Sequence, residues 1–298
     1  MKLFNHIINR YILAILIITA TILSFVYYKL NLIEKSNSLL SQLENGLATA
    51  RYLFEEQKRY ALSLSLLLSQ DKEIKESFIK KDRDESFKII NKKIDLLKKL
   101  QNSQMDVQIH NEDLTTYLRS WDFSIKDIPL ETFRKGLVKV KEQKKPLVSI
   151  ELGKRLNIKA ISPLMLNNKF IGSIEVIIDF DHLEKELKQK GFDTFILLNN
   201  KFLNIATTLK NKPKIKNFTL VNNKNQKIDS LQYFKLDKLK DYGYFTTHDK
   251  AFSYFSIYSL NREKLGYIII SLANEDNILI KYSYEKRREI ENNRIIIE

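Results

Sequence analysis

Three side chains on one short segment carry the densest chemistry in this chain. In Thr115-Thr-Tyr-Leu-Arg-Ser-Trp121, strand alternation puts Tyr117, Arg119 and Trp121 on one face. On the segment 170–180, Ser173, Glu175 and Asp179 share a face, opposite Gly172, Ile174 and Val176. A guanidinium grips a carboxylate with two parallel hydrogen bonds. Trp and Tyr offer apolar walls with polar tips. With the Glu175 carboxylate they would supply the few placed polar groups that orient a small polar ligand in a mostly apolar pocket. The same residues admit a plainer reading, in which Arg119 and Glu175 form a structural ion pair and Trp121 is core. A charged residue between strand apolars needs a partner in either case. His110 ends a neighbouring strand, where it is either a ligand contact or a solvated strand end.

No catalytic constellation is legible. The four histidines are His6, His110, His182 and His248, none at metal-ligand spacing from a Cys, Asp or Glu cluster. There is no P-loop, no dinucleotide fingerprint and no nucleophile elbow. The expectation is therefore a chain that is not an enzyme and carries neither metal nor cofactor.

These residues must be held by larger elements. The first is an apolar run, Tyr11-Ile-Leu-Ala-Ile-Leu-Ile-Ile-Thr-Ala-Thr-Ile-Leu-Ser-Phe-Val-Tyr-Tyr28, without a charge. With residues 7–28 apolar it has the roughly 20 residues that cross a bilayer. It is too long, and ends too bulkily, for a cleaved leader. Tyr11, Tyr27 and Tyr28 stand where interfacial aromatics belong, and Lys2 and Arg10 favour a cytoplasmic N-terminus. Residues 1–29 thus read as a cytoplasmic N-terminus and membrane anchor in contact with lipid. The bulk of the chain is then expected on the periplasmic or extracellular side of the cell membrane, which the lack of cysteine suits.

The chain carries 50 Lys and Arg against 36 Asp and Glu, a net charge of +14. The two signs alternate along most of its length, so no basic stripe forms and nucleic acid is not an expected partner.

From Ile33 the apolar positions Leu40, Leu43, Leu47, Ala50, Phe54, Ala61, Leu64 and Leu68 recur at steps of three, four and seven, interrupted at Gln57. A helix from Leu30 to Gln70 would reach about 60 Å. Its seam over 33–68 could pair two copies as a homodimer, or pack along a sheet of the same chain. Residues 71–85 are charge-dense and hold a turn, and a second helical stretch with Phe87, Ile90, Ile94 and Leu97 on one face completes a helical region over 30–103.

The period then becomes two. Strands are expected at 105–110, 115–121, 147–152, 156–164 and 170–180, the last two joined by a turn at Asn167-Asn168. A helix beginning near Pro129 carries Phe133, Leu137 and Val140. Asp181 caps a further helix that Gly191 ends. A second module follows over 191–273, with a strand at 194–198, a loop over 210–227, a helix over 228–239 and strands at 242–247, 251–260 and 265–272. An exit helix begins at Asn274. Ile295-Ile-Ile297 is either the first turn of a second membrane span or a terminus. The class is α+β with antiparallel sheets.

Several of these residues together resemble the double Cache sensor domain of chemotaxis transducers, diguanylate cyclases and histidine kinases. They are Gln108-Ile-His110, Tyr117-Leu-Arg-Ser-Trp121, Phe133-Arg134, Lys145-Pro-Leu-Val-Ser-Ile-Glu-Leu-Gly153, Ile161-Ser-Pro163 and Ile171-Gly-Ser-Ile-Glu175. The resemblance covers roughly residues 30–283. Ile150 stands where the pattern has glycine and Lys159 where it has arginine. It implies two PAS-like sheets along a long N-terminal helix, a membrane-distal Cache module over 104–190, a membrane-proximal one over 191–273, and a pocket for a small polar molecule in the distal module. Glu151 and Lys159 join Arg119, Trp121, Tyr117, Glu175 and His110 as candidate ligand contacts. The function so implied is the ligand-sensing region of a membrane-anchored bacterial receptor that passes a helix displacement inward. The alternative is a membrane-anchored interaction or scaffold subunit without a small ligand.

Overall fold

The computed structural model describes residues 2–101, 104–222, 229–232, 236–247 and 249–273. One helix, α1 (Lys2–Gln70), runs unbroken from the apolar N-terminal segment into the folded region. At 1.5 Å per residue it is about 100 Å long. Its first part is bare: among the described residues Arg10–Gln70 is the one helix long and apolar enough to cross a membrane, and none of its apolar window is buried. The helix stops where Asp71 turns extended and accepts a hydrogen bond from the Ile74 amide at 3.1 Å, capping α2 (Lys72–Ile79). Helix α3 (Arg83–Gln101) folds back on α2, so the charge-dense stretch after Gln70 is mostly helical, with its turn confined to residues 80–82.

Two antiparallel sheets pack along α1. The first has the order β2-β1-β5-β4-β3, from β1 (Met105–Asn111), β2 (Thr116–Arg119), β3 (Leu147–Leu152), β4 (Leu156–Leu166) and β5 (Lys169–Ile178). The second has the order β7-β8-β6-β11-β10-β9, from β6 (Asp193–Asn199), β7 (Lys214–Ile215), β8 (Phe218–Leu220), β9 (Tyr242–Thr246), β10 (Lys250–Tyr258) and β11 (Lys264–Ala273). Between the sheets lies α5 (Asp181–Gln189). The near faces of both sheets share one core with α1, which includes Leu47, Phe54, Ala61 and Leu68. The second sheet lies toward the apolar end of α1, where Leu39 and Leu43 pack on Ala251.

The seam over 33–68 is therefore occupied inside the chain. Leu43, Leu47, Ala50, Phe54, Ala61, Leu64 and Leu68 are all buried against the sheets, and of the seam only its start, Ile33, is largely exposed. The packing alternative holds for most of its length, and a second copy would have to meet α1 on another face, where Tyr52 and Leu67 are exposed.

Other departures are local. The stretch over 210–227 is not all loop, because Lys214–Ile215 and Phe218–Leu220 pair as a short hairpin on the sheet edge. Pro129 bridges Thr115 instead of opening a helix. Leu130 is drawn into the core, and α4 (Lys135–Gln143) starts only after Arg134, leaving Phe133 exposed. Asp179, just past the end of β5, accepts from the Asp181 amide at 3.0 Å, while Phe180, without a side-chain cap bond, holds the N-cap position of α5 expected of Asp181. The Asp179 carboxyl is raised to about 6, chiefly by burial. The expected helix over 228–239 is broken among its described residues into α6 (Asp229–Gln232) and a 3-10 turn at Leu236–Lys238. Asn167 and Asn168 both take positive φ (48° and 60°), the two-residue hairpin geometry their types favour. The exit helix lies outside the described residues.

Candidate functional site

The side of the first sheet turned away from α1 is lined by polar residues in a fixed lattice. The register pairs Arg119 with Gln108, Gln108 with Glu175, and Glu175 with Ile161. One row along, Thr116 pairs with His110 and His110 with Ser173; one row the other way, Ile177 pairs with Lys159 and Lys159 with Ser149. Glu151 follows two residues after Ser149 on the edge strand, and so shares its face.

A β-bulge between Ile109 and His110 decides which β2 residues join this face. It inserts Tyr117 as an extra residue, so Thr116 and Arg119 point the same way although three positions apart. Tyr117 goes to the opposite side. Its ring meets Phe78 edge-on at 4.8 Å and its hydroxyl lies 3.3 Å from Ser86 Oγ, both on the helices. Simple alternation had put Tyr117 beside Arg119; the bulge corrects it. Trp121 lies beyond the end of β2, is 42% exposed, and carries the Arg119 guanidinium 5.5 Å from its ring centre. It is neither core nor a buried wall.

A strap over 120–146 covers this face, and it supplies the residue that the list of candidates lacked. Arg134, at the N-cap position of α4, is 5% exposed. Its Nε donates to Glu151 Oε2 at 3.0 Å and its Nη2 donates to Glu175 Oε1. Ser149 Oγ donates to the other Glu151 oxygen at 3.0 Å. Burial works to lower the Arg134 pKa, and Glu175 and Glu151 more than offset it, so the guanidinium stays charged. Gly136 makes this approach feasible: a Cβ there would lie 2.1 Å from Glu151 Oε1. A signal for Arg134 was present in the sequence, since two carboxylates on one buried face require a cation; the expected helix from Pro129 hid it.

The rest of the cluster is buried and only partly satisfied. His110 is fully buried, with Nδ1 3.0 Å from Ser173 Oγ and Nε2 3.8 Å from Glu175 Oε2. Burial, with Arg134, Arg119 and Lys159 nearby, holds its pKa well below the usual imidazole range, so it is neutral at pH 7. Burial first, and then Arg134, bring the Lys159 ammonium down to about 8. Among the described residues His110 Nε2, Glu175 Oε2 and Arg119 Nε are buried without a hydrogen-bond partner. An apolar patch of Leu114, Leu130, Leu137, Val140, Ile161 and Phe170 closes one end of the site. No group of His, Asp and Glu able to hold a metal ion occurs among the described residues.

The corresponding face of the second sheet is different. It is filled by Phe195, Phe218, Phe245, Phe252, Tyr254 and Tyr267 with Leu and Ile neighbours, and the Lys250–Asp193 ion pair stands at its end.

Comparison with known proteins agrees with this architecture. Residues 36–271 match the family described as the double sensory domain of two-component sensor kinases, dCache_3. No curated protein sequence matches the chain. Among solved structures, the extracellular domain assigned to the histidine kinase vpHK1S-Z8 is 14% identical, with a TM-score of 0.52 over 82% of this chain and 98% of that one. A domain assigned to a sensory box/GGDEF family protein from Vibrio parahaemolyticus is also 14% identical, with a TM-score of 0.52 over 82% of this chain and 99% of that one. The ligand-binding domain of the Campylobacter jejuni chemoreceptor Tlp3, in complex with L-norvaline, is 15% identical with a TM-score of 0.48, over 84% of this chain and 97% of that one. With two antiparallel sheets along one helix and a family match across both, the chain belongs to the double Cache sensory domain family, dCache_3.

Proposed function

We propose that this chain is the sensing region of a membrane-anchored receptor. The apolar segment over 7–28 sits in the cell membrane, the folded region lies outside the cytosol, and a small polar molecule binds on the far face of the first, membrane-distal sheet. The observation that carries this reading is the contrast between the two modules. One far face is packed with aromatic rings. The other gathers Arg119, Arg134, Glu151, Lys159, Glu175 and His110, four of them under 6% exposed. Burying that many ionisable groups is costly for stability alone, and such clusters mark functional sites. A ligand that prefers one arrangement of strap and sheet shifts a two-state equilibrium. Because α1 packs on both sheets and continues into the apolar segment, the shift reaches the membrane as a small helix displacement, on the order of 1–2 Å in switches of this kind.

The test is a thermal-shift screen of small metabolites on the full chain in detergent micelles, repeated with Arg119→Ala. A hit lost in the variant supports the site; a hit that survives unchanged removes it. One observation favours the second reading, a scaffold subunit with no small ligand: Arg134 and its two glutamates already neutralise much of one another. On that reading no small molecule shifts the melting temperature, and a protein partner co-purifies with the chain instead. A homodimer through the exposed side of α1 is compatible with either.

A further inference from the structure

The strap is tied at a second point, from the helical side. Thr116 donates its amide to the Ile128 carbonyl at 3.0 Å and accepts from the Asp127 amide at 2.7 Å, so the chain between them closes into a loop beside β2. Arg83, the first residue of α3, reaches into that loop. Its Nε donates to the Tyr117 carbonyl at 2.9 Å, and its Nη2 donates to the Phe123 carbonyl at 2.8 Å and the Ile125 carbonyl at 3.4 Å. The guanidinium lies 4.6 Å from the centre of the Phe123 ring, which in turn meets the Phe87 ring of α3 at 5.1 Å. A planar fork serves several carbonyls at once, where an ammonium acts as a point charge. All three partners are main-chain, so the grip depends on the shape of the loop and not on its side chains. The same loop carries Trp121, against which Arg119 lies. Further along, α3 holds the tip of α1. Lys93 pairs with Asp71 at 2.8 Å and with Glu73 at 2.9 Å. Asp71 is where α1 stops, and it caps α2 by accepting from the Ile74 amide. Arg83 and Lys93 are about 15 Å apart along one helix.

We propose that Arg83 is a positioning residue: it fixes the front of the strap beside the charged face and makes α3 move with it, and Lys93 passes that movement to the junction of α1 and α2. This rests on the ligand-sensing reading above and gives the strap a route to α1 that bypasses the first sheet. Arg134 grips carboxylates beneath the strap, inside the site. Arg83 grips only backbone, outside it. A change in the site acts on the first contact and leaves the second made, so the strap pulls on α3 rather than detaching from it. Such a route is established by coupling between its two ends, not by contact alone.

The experiment is amide hydrogen exchange on the full chain in detergent micelles, for the parent, Arg83→Met, Lys93→Met and the double variant. The Asp127 and Thr116 amides report the strap, the Ile74 amide reports the α1–α2 junction, and Ile269 in β11 reports the fold at large. Arg83→Met should speed Asp127 and Thr116 about tenfold or more relative to Ile269, as loss of hydrogen bonds to a charged group does. It should also speed Ile74, and that second effect should vanish in the Lys93→Met background. Arg83→Lys keeps the charge without the fork and should speed the strap amides by less; it carries the test if the methionine variant does not fold. Strap amides no faster than Ile269 in either variant overturn the positioning role. A faster strap with Ile74 unchanged, or with Ile74 equally faster in both backgrounds, overturns the route through Lys93. No ligand enters these measurements, so their outcome is independent of the thermal-shift screen. A screen without hits removes the ligand reading and leaves the link from strap to α1 standing, and a hit with uncoupled amides does the reverse.

Discussion

Ile150 and Ser259 stand side by side in a parallel β-bridge, the first on the outer edge of the first sheet and the second just past the end of β10 in the second. Close by, the Lys154 carbonyl accepts from both Thr208 Oγ1 at 2.5 Å and the Thr208 amide at 3.2 Å. Ile150 is flanked by Ser149 and Glu151, which belong to the charged site. The edge strand of the site thus touches the second module directly, without passing through α1. Thr208→Val removes the hydroxyl contact while keeping the shape, and should cost about 0.5–1.5 kcal/mol. Hydrogen exchange gives the sharper check. Strap occupancy should alter protection of the Ser259 and Thr208 amides in the parent chain and leave the Thr208→Val amides unresponsive; equal responses would mean that the edge contact is passive.

Arg134→Met should be strongly destabilising at neutral pH. It leaves Glu151 and Glu175, at 8% and 0% exposure, as buried anions without their main counter-charge. Removing one partner of a buried ion pair costs about 3–5 kcal/mol. Urea denaturation at pH 7 checks the loss. Adding Glu151→Gln and Glu175→Gln should recover much of the loss, and failure to recover would place the role of Arg134 in the strap rather than in the charge.

Much of this fold is legible from the sequence because period and turn chemistry are local. The strands β1, β3, β6 and β9 to β11 follow from alternation, Asn167-Asn168 from its tolerance of positive φ, and the long helix from its apolar seam. The site is legible in residue type and less so in geometry. The register that sets Glu175 next to Gln108, and through it Arg119, is a long-range pairing. The bulge that turns Tyr117 toward Phe78 reverses a face without leaving a mark in local composition. Arg134 sits on an irregular strap whose shape is set by the burial of Leu130 and by the charges beneath it. Nor does a seam reveal whether it faces a copy or a sheet: Leu43 to Leu68 would read the same in either case.

Gln57, the interruption in that seam, is 5% exposed, and neither amide atom has a hydrogen-bond partner among the described residues. It lies on α1 between Phe54 and Ala61, both in the shared core. Leu is close in length and has no polar atoms to desolvate. Gln57→Leu should stabilise the fold by about 1–3 kcal/mol, the usual penalty of an unsatisfied buried polar group. If that penalty keeps α1 loosely seated, the same substitution should also damp whatever movement of α1 a ligand produces. Chemical denaturation checks the first effect, and distances between spin labels on α1 and β10, with and without ligand, check the second. An unchanged or lowered stability would mean that Gln57 finds partners in solution.

Lys159 gives the fold a pH dependence of predictable sign. Its folded pKa of about 8 lies below the ordinary lysine value of 10.5. Between these limits the unfolded chain binds more protons than the folded one, so stability rises with pH across that window. Below pH 8 the ammonium is charged in both states and the full cost of burying it remains. Lys159→Met abolishes this dependence. It should be the more stable protein at pH 7, by on the order of 3 kcal/mol for a shift of that size, with the gap closing as pH climbs from about 8 toward 10.5. Comparing the two proteins at each pH cancels the titration of tyrosines and surface lysines common to both. A gap that stays constant from pH 7 to pH 10 would mean that the ammonium is solvated or paired in the folded chain.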